Sequence, residues 1–453
     1  MSLKSNLLEK KVLFKMDKQS KATRKLPLEG IRILDFTVVW AGPFATQLLA
    51  EWGAEVIRVE STKFFPSTTR GVLARPSKEL VQQGGIGGYP DKDPGARPWN
   101  RAALFNVHAR NKLSMTVDLT TPEGQEIFAN LVSKSDGLIE NNAIATMERA
   151  GVSWEKLSKI NPEFVLVRMP AFGISGPYKS YRTFGSHMES LVGHYSLFGY
   201  EGETPEASGT SLFADPASGV AGALAFMSGL RHRRNTGKGI QIESPTAENF
   251  ANQLGPHIVG HSMTGVVPEY TGNRHPVYAP QGVYACNGED RWISITITDD
   301  AEWDELCSIM GANELSQKSE YDTVEKRRMK HDVIDQAISN WTINHDSIEL
   351  MNMLQERGIP SGAVMNEKDA FEDPHLQERG YWEELTHPEA GTYKYPGVLW
   401  KSNAIDNKLR RAAPRLGEDN EYVYKSILGY TEAEYRKYEK NGHIGMDYDD
   451  SIQ

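Results

Sequence analysis

At 453 residues the chain exceeds what one hydrophobic core usually serves, so two domains, or three, are expected. Hydrophobic residues at 39% and charged residues at 24% mark a globular sequence, and a formal charge of −10 argues against a nucleic-acid partner. No apolar run approaches the roughly 18 residues of a membrane span. The two cysteines, Cys286 and Cys307, form no CxxC pair, which argues against a thiolate zinc site and for a reducing cytoplasm.

Residues 1–26 are lysine-rich and lack both a signal-peptide apolar core and a cleavage site, so they are expected to be a disordered tail or extension. Ordered sequence starts at Leu28. Ile31–Phe36 is expected as a buried strand, Ala41-Gly-Pro43 as a helix start, and Ala54–Glu60 as the next strand. Strand, helix and strand in so short a span form a βαβ unit and predict a parallel, helix-covered sheet. Residues 62–100, rich in proline and glycine, read as a long irregular loop. Alternation resumes with strands at Ser114–Leu119, Asp136–Glu140 and Phe164–Met169 and a helix opened by Thr121-Pro122. After residue 240 come a strand at Gln241–Glu243, a linker over 256–272, a hairpin through Val283–Ile297, and helices over about 301–311 and 324–357. The expected plan is a large α/β domain over 27–255, a smaller α+β domain over 273–375, and a return to the large domain over 376–453.

Two chemistries are poorly supported. The first βα turn offers Ala41-Gly-Pro43 in place of GxGxxG, so a pyrophosphate could not approach its backbone closely. His187 and His194 flank Glu189 but match no metal-ligand spacing. The basic run Arg231–Arg234 before Thr236-Gly-Lys-Gly239 reads as a solvated helix end and turn.

The order of motifs carries more. Leu28–Phe36, Ala41-Gly-Pro43 and Gly53–Glu60 are followed by Arg110-Asn-Lys112, Glu140-Asn141, Gly176-Pro-Tyr178, Thr236–Gly239, Gly272-Asn273, Gly358–Gly362 and Asp373–Leu376. Together they resemble the class III CoA-transferases, of the formyl-CoA and carnitine-CoA transferase type, a family that also includes methylacyl-CoA racemases. The resemblance covers nearly everything after residue 26. It implies a Rossmann-like α/β domain built from both chain ends, a smaller domain between them, and an interlocked, ring-like dimer. It implies a CoA thioester as substrate and no permanently bound cofactor. By matching positions, Val39, Trp40 and Ala41 would flank the CoA, Arg110 and Lys112 would offer charge to its phosphates, and Glu140 would support the site. The alternative for Val39 and Trp40 is a place in the core, and for Arg110 and Lys112 a place on the surface.

Members of this family attack the donor thioester with an aspartate, passing through a mixed anhydride and an enzyme-bound thioester before CoA reaches the acceptor acid. The matching position here is Gly185, after Phe184, and glycine has no side chain to offer. Glu189 lies about one helical turn on, roughly 5–6 Å away. Ser186-His-Met-Glu189 also fits a capping box, the reading preferred here. His187 and Glu140 are weaker catalytic candidates. Gly185 is expected to leave a void in which Gly185→Asp would fit. Ser61 and Asn142-Ala-Ile-Ala145 replace basic residues usual near the CoA phosphates.

The resemblance then implies a subunit that does no chemistry itself and works with a paralogous partner bearing the aspartate. It is similar in kind to the subunit without the aspartate in succinyl-CoA:benzylsuccinate CoA-transferase, of anaerobic toluene degradation. The substrates would be succinyl-CoA and an aryl-substituted succinate. The alternatives are a self-sufficient transferase or isomerase using Glu189 or Glu140, and a CoA-binding scaffold without chemistry.

Overall fold

The computed structural model describes residues 25–83, 88–200, 202–204, 206 and 212–452. Most of the expected N-terminal tail, and Gly84, Gly85 and Gly87 of the expected loop, therefore lie outside the described residues.

A six-stranded parallel sheet organises the molecule. Its strands are β1 (Arg32–Phe36), β2 (Glu55–Glu60), β3 (Leu113–Thr116), β4 (Gly137–Glu140), β5 (Val165–Arg168) and β6 (Ile240–Glu243), in the order β3-β2-β1-β4-β5-β6. The short apolar runs RILDF, EVIRVE and VLVR suit strands covered on both faces. One core includes Leu34, Ile57, Met115, Leu138, Leu166 and Phe128. The other includes Ile33, Val56, Ile139, Val167, Leu48 and Phe226. Side chains of successive strand residues thus enter opposite cores, as the two-residue repeat of a strand requires.

Helix α1 (Ala41–Glu51) follows β1 directly. The segment expected as loop holds the short helix α2 (Lys78–Gln82) and runs into α3 (Pro98–Arg101), which α4 (Ala103–Ala109) follows. Pro98 suits the start of α3, because proline at the first position forfeits no intrahelical hydrogen bond. α5 (Pro122–Ser133) opens on Thr121, whose hydroxyl accepts from Gly124 N–H at 3.0 Å. α6 (Ile144–Arg149), α7 (Trp154–Ile160), α8 (Gly185–Leu191) and the long α9 (Ala214–Thr236) precede β6. α10 (Thr246–Gln253) is followed at once by α11 (Gly255–Thr264), so the stretch read as a linker begins as a helix. Pro256 near its start and left-handed Gly265 at its end are ordinary helix start and stop residues.

A second, antiparallel sheet of β7 (Gln281–Ala285), β8 (Trp292–Thr296) and β9 (Ser361–Val364) has its own core around Trp303, Leu306, Ile338 and Leu354. The stretch read as one helix over 324–357 is three: Val324–Met329, His331–Thr342 and Ser347–Glu356. After the hairpin Trp382–His387 and Gly391–Pro396, the chain returns to the parallel sheet. Asp419 and Asn420 accept from Ser114 and Thr116 N–H of β3 at 2.9 and 2.8 Å, and buried Tyr424 donates to Thr116 O at 2.9 Å. The C-terminal segment thereby covers the β3 edge, supplying partners that an open strand would lack.

Candidate functional site

In a parallel sheet, strand order reverses where successive crossovers leave in opposite directions, and a crevice opens at the carboxyl ends there. In this sheet the reversal lies between β1 and β4. A cleft of about 1210 Å³ occupies that edge, lined by Phe36–Val38 after β1, Arg58–Ser61 at the end of β2, Val117–Thr120 after β3 and Asn142–Thr146 after β4. Ser61 and the Ala143–Ala145 stretch therefore line it. Lys179–Arg182 and Arg149 complete the wall. Arg149, Lys179 and Arg182 are exposed, and no carboxylate among the described residues pairs with them. They supply positive charge that a search for basic residues at 61 and 143–145 overlooks.

The floor of the cleft is a buried ionic cluster. Arg58 Nη1 and Lys112 Nζ each lie 2.9 Å from Asp35 Oδ2, and Arg70 grips Glu60 through Nε at 2.6 Å and Nη2 at 2.7 Å. Burial opposes the Asp35 carboxylate, but Arg58 and Lys112 outweigh it and hold its carboxyl below the ordinary range. Burial likewise opposes Glu60, and Arg70 and Arg58 bring it down to about 2. Burial pulls the Lys112 ammonium down to about 8 despite Asp35. Lys112 also donates to Pro43 O and Thr46 Oγ1 of α1 at 2.8 Å each. Arg110 is buried against Glu51, with Nη2–Oε1 at 2.7 Å. Neither cation is at the surface, and both charged ends are committed inside the protein.

The turn between β1 and α1 carries Val39 at φ +62°, a left-handed conformation that a β-branched residue adopts only under constraint. Thr69 Oγ1 accepts from Val39 N–H at 2.8 Å, and Asn141 bonds both Val38 N–H and Val38 O, at 2.8 and 2.9 Å. Trp40 is half-buried, its ring 5.5 Å from that of His108. Ala41 is buried and opens α1, whose N-cap residue Trp40 provides no side-chain acceptor. Glu140 is buried at the end of β4, 2.7 Å from Arg168 and accepting from Asn142 N–H at 2.8 Å. Burial raises its carboxyl, and Arg168 offsets only part of that.

α8 begins at Gly185 itself, so Ser186 is inside the helix and cannot cap it. His187, on the surface, does the capping, its Nδ1 accepting from Phe184 N–H at 3.2 Å. The expected Ser186–Glu189 capping box is overturned: Glu189 is fully buried and points away from its own helix start. One oxygen accepts from Ala214 N–H at 2.9 Å at the head of α9, and the other lies 3.0 Å from His194 Nδ1. The expected void at Gly185 is overturned as well. A Cβ at 185 would overlap Oδ2 of Asp215 and lie 3.3 Å from its Cγ.

Asp215, on the first turn of α9, was not apparent from the sequence. Its carboxylate reaches the head of α1, where the Ala41 backbone N–H bonds it. Gly219, one turn on, allows this approach, since a Cβ there would be 2.7 Å from Phe44 Cδ1 and 3.0 Å from Ala41 O. Burial raises the Asp215 carboxyl to about 6; the Ala41 N–H draws it down and neighbouring Glu189 pushes it up. The Asp-Pro pair at 215–216 has the chemistry of a helix start, but nothing along the chain links it to Gly185.

Among the described residues no group of histidines, cysteines and carboxylates could hold a metal ion, and no helix is long and apolar enough to cross a membrane. Fold and cleft together define an α/β protein with an open cleft at the carboxyl edge of a parallel sheet. The chain belongs to CoA-transferase family III, whose model matches residues 28–420. It is 31% identical over 407 residues to the succinyl-CoA–D-citramalate CoA-transferase of Chloroflexus aurantiacus, covering 90% of this chain and 95% of the relative. It is 28% identical over 415 residues to the alpha subunit of that organism's succinyl-CoA–L-malate CoA-transferase, covering 91% of each. A CAIB/BAIF family protein from Brucella suis shares the fold, with a TM-score of 0.76 and 24% identity over 89% of this chain and all of that one. Homologues of this family are CoA-transferases that use CoA thioesters as substrates, and an enzyme of this kind is what the chain represents.

Proposed function

We propose that this protein moves CoA from succinyl-CoA to a second carboxylic acid, with the CoA lying in the cleft at the β1/β4 reversal. The observation that carries the reading is the cleft itself: its size, its place at the carboxyl edge, and the unpaired Lys179, Arg182 and Arg149 on its wall. These cations suit the phosphates of CoA better than Arg110 and Lys112, whose charges serve Glu51 and Asp35. Val39, Trp40 and Ala41 form the turn beside the cleft and would flank the bound nucleotide. Malate- and citramalate-like acids are the first acceptors to try, because the named relatives use them; an aryl-substituted succinate is the other acceptor class. The protein acts as a dimer, homomeric or with a paralogue, interlocked as the family resemblance implies; exposed Leu224 of α9 and Met263 of α11 provide apolar surface for the partner.

The test is transfer from succinyl-CoA to each acid, followed chromatographically, with the chain alone and with any co-purifying paralogue. The double variant Lys179→Ala/Arg182→Ala should raise KM for the CoA ester about tenfold or more with little change in kcat. Unchanged KM would move the CoA out of this cleft. The second reading, a subunit without chemistry of its own, rests on Gly185; activity only when an aspartate-bearing paralogue is added would favour it.

A further inference from the structure

CoA transfer by the family's route needs an ionisable carboxylate at the acyl carbon, and residue 185 has none. We propose that Asp215 is the nucleophile of this chain, its carboxylate delivered from the head of α9 into the space that a side chain at 185 would occupy. The inference rests on the CoA-transfer reading and deepens it by naming the residue that accepts the acyl group.

Four observations support the assignment. Oδ2 of Asp215 stands 2.3 Å from where a Cβ at 185 would be, too close for any side chain there, so glycine at 185 is what admits it. The carboxylate is held at the head of the eleven-residue helix α1 by the Ala41 N–H, and the partial positive charge of that helix end favours its ionised form. Its own helix start is fixed by Glu189, which accepts from Ala214 N–H and is itself anchored near His194. Finally, the residues next to the buried pair are apolar and face solvent: Phe184, preceding Gly185, and Phe213, two before Asp215, are 56% and 59% exposed. Val38 and Arg182 of the cleft wall each stand three residues before a neighbour of the Asp215 carboxylate, Ala41 and Gly185 respectively, so the turns that flank Asp215 adjoin the cleft.

The steps balance without any further reactant. An Asp215 oxygen attacks the succinyl carbonyl, the C–S bond breaks, and CoA leaves as its thiolate, giving a mixed anhydride. The thiolate attacks the Asp215 acyl carbon, releasing succinate and leaving an aspartyl-CoA thioester. The acceptor carboxylate attacks that thioester, forming a second anhydride and freeing CoA thiolate. The thiolate attacks the acceptor carbonyl, giving the new CoA thioester and restoring the Asp215 carboxylate. One acceptor oxygen stays on Asp215 in each turnover. Glu189 acts through Ala214 and is a positioning residue.

Asp215 also satisfies the start of α1, and a purely structural role would be limited to that. The two are separated by incubating the full chain, with its paralogue where one co-purifies, with succinyl-CoA and ¹⁸O-labelled malate or citramalate and mapping peptides by mass spectrometry. The expected result is a peptide containing Asp215 that gains one ¹⁸O and, with hydroxylamine added to succinyl-CoA alone, becomes a hydroxamate. Asp215→Asn keeps an oxygen for the Ala41 N–H, yet should lower kcat about a thousandfold or more with the melting transition retained. Label on any other residue or on the paralogue, or Asp215→Asn turnover within tenfold of wild type, would overturn the assignment while leaving CoA transfer standing. If Asp215→Asn does not fold, the labelling of the unaltered chain decides alone. Absence of CoA transfer in every combination would remove both readings together.

Discussion

Two sets of buried carboxylates touch helix α1, and they are built in opposite ways. Asp35, behind the cleft, meets Arg58, Lys112 and the Thr46 hydroxyl, and Glu60 beside it meets Arg70 and Arg58. Asp215, at the other contact, has a backbone N–H and a second acid, Glu189, for neighbours. The first set is compensated, and its carboxyls are held low. The second concentrates acid without a matching cation on Asp215, and its carboxyl is raised. A compensated cluster fixes strands and helix in register. An uncompensated acid costs stability, and such groups gather where reactivity is needed.

The comparison breaks most visibly if the compensated set proves dispensable. Asp35→Asn keeps the side-chain size but leaves Arg58 and Lys112 buried with less counter-charge. A loss of about 3–5 kcal/mol is expected, read as a lowered urea midpoint at pH 7. A midpoint near that of the wild type would mean that Glu60 alone balances the cations.

A smaller effect sharpens the other side. The Asp215 carboxyl in the folded chain sits at about 6, above its ordinary 3.8. The folded state therefore binds the proton more tightly, so this stabilising contribution is complete below the ordinary value and is lost as pH rises through about 6. Stability should fall by up to about 2–3 kcal/mol between roughly pH 4 and 7 from this group, and Asp215→Asn should flatten that slope. A slope that persists unchanged in the variant would belong to groups other than Asp215.

The smallest expected change is at Gly185. Gly185→Asp must push the Asp215 carboxylate off the Ala41 N–H. The lost hydrogen bond and a third acid in the site should cost about 1 kcal/mol or somewhat more, measured as a lower melting temperature. Asp215 is a flexible side chain and can turn away, which keeps the cost modest. A melting temperature equal to that of the wild type would show that residue 185 has the room the sequence suggested.

Much of the fold was legible along the chain. β1, β2, β4 and β5 are short apolar runs buried on both faces, and Ala41-Gly-Pro43 and Thr121-Pro122 are helix starts recognisable from local chemistry. Less of the site was. Ser186-His-Met-Glu189 fits a capping box locally, but α8 starts one residue before Ser186 and Glu189 turns inward to Ala214. Local rules count hydrogen bonds within one helix and cannot see a donor supplied by another. Arg110 and Lys112 read as phosphate ligands or surface residues because nothing in their neighbourhood announces Glu51 and Asp35, which come from distant segments.

By itself the sequence determined the parallel α/β class, the family, and the glycine at 185, because these follow from periodicity, motif order and residue identity. The tertiary structure alone decided what fills the space at Gly185 and which cations face the cleft. Asp215 comes from a different helix, and its carboxylate arrives only because Gly219 lets α9 pack closely on α1. Whether a charge is compensated depends on distances in space, and chain order does not encode them.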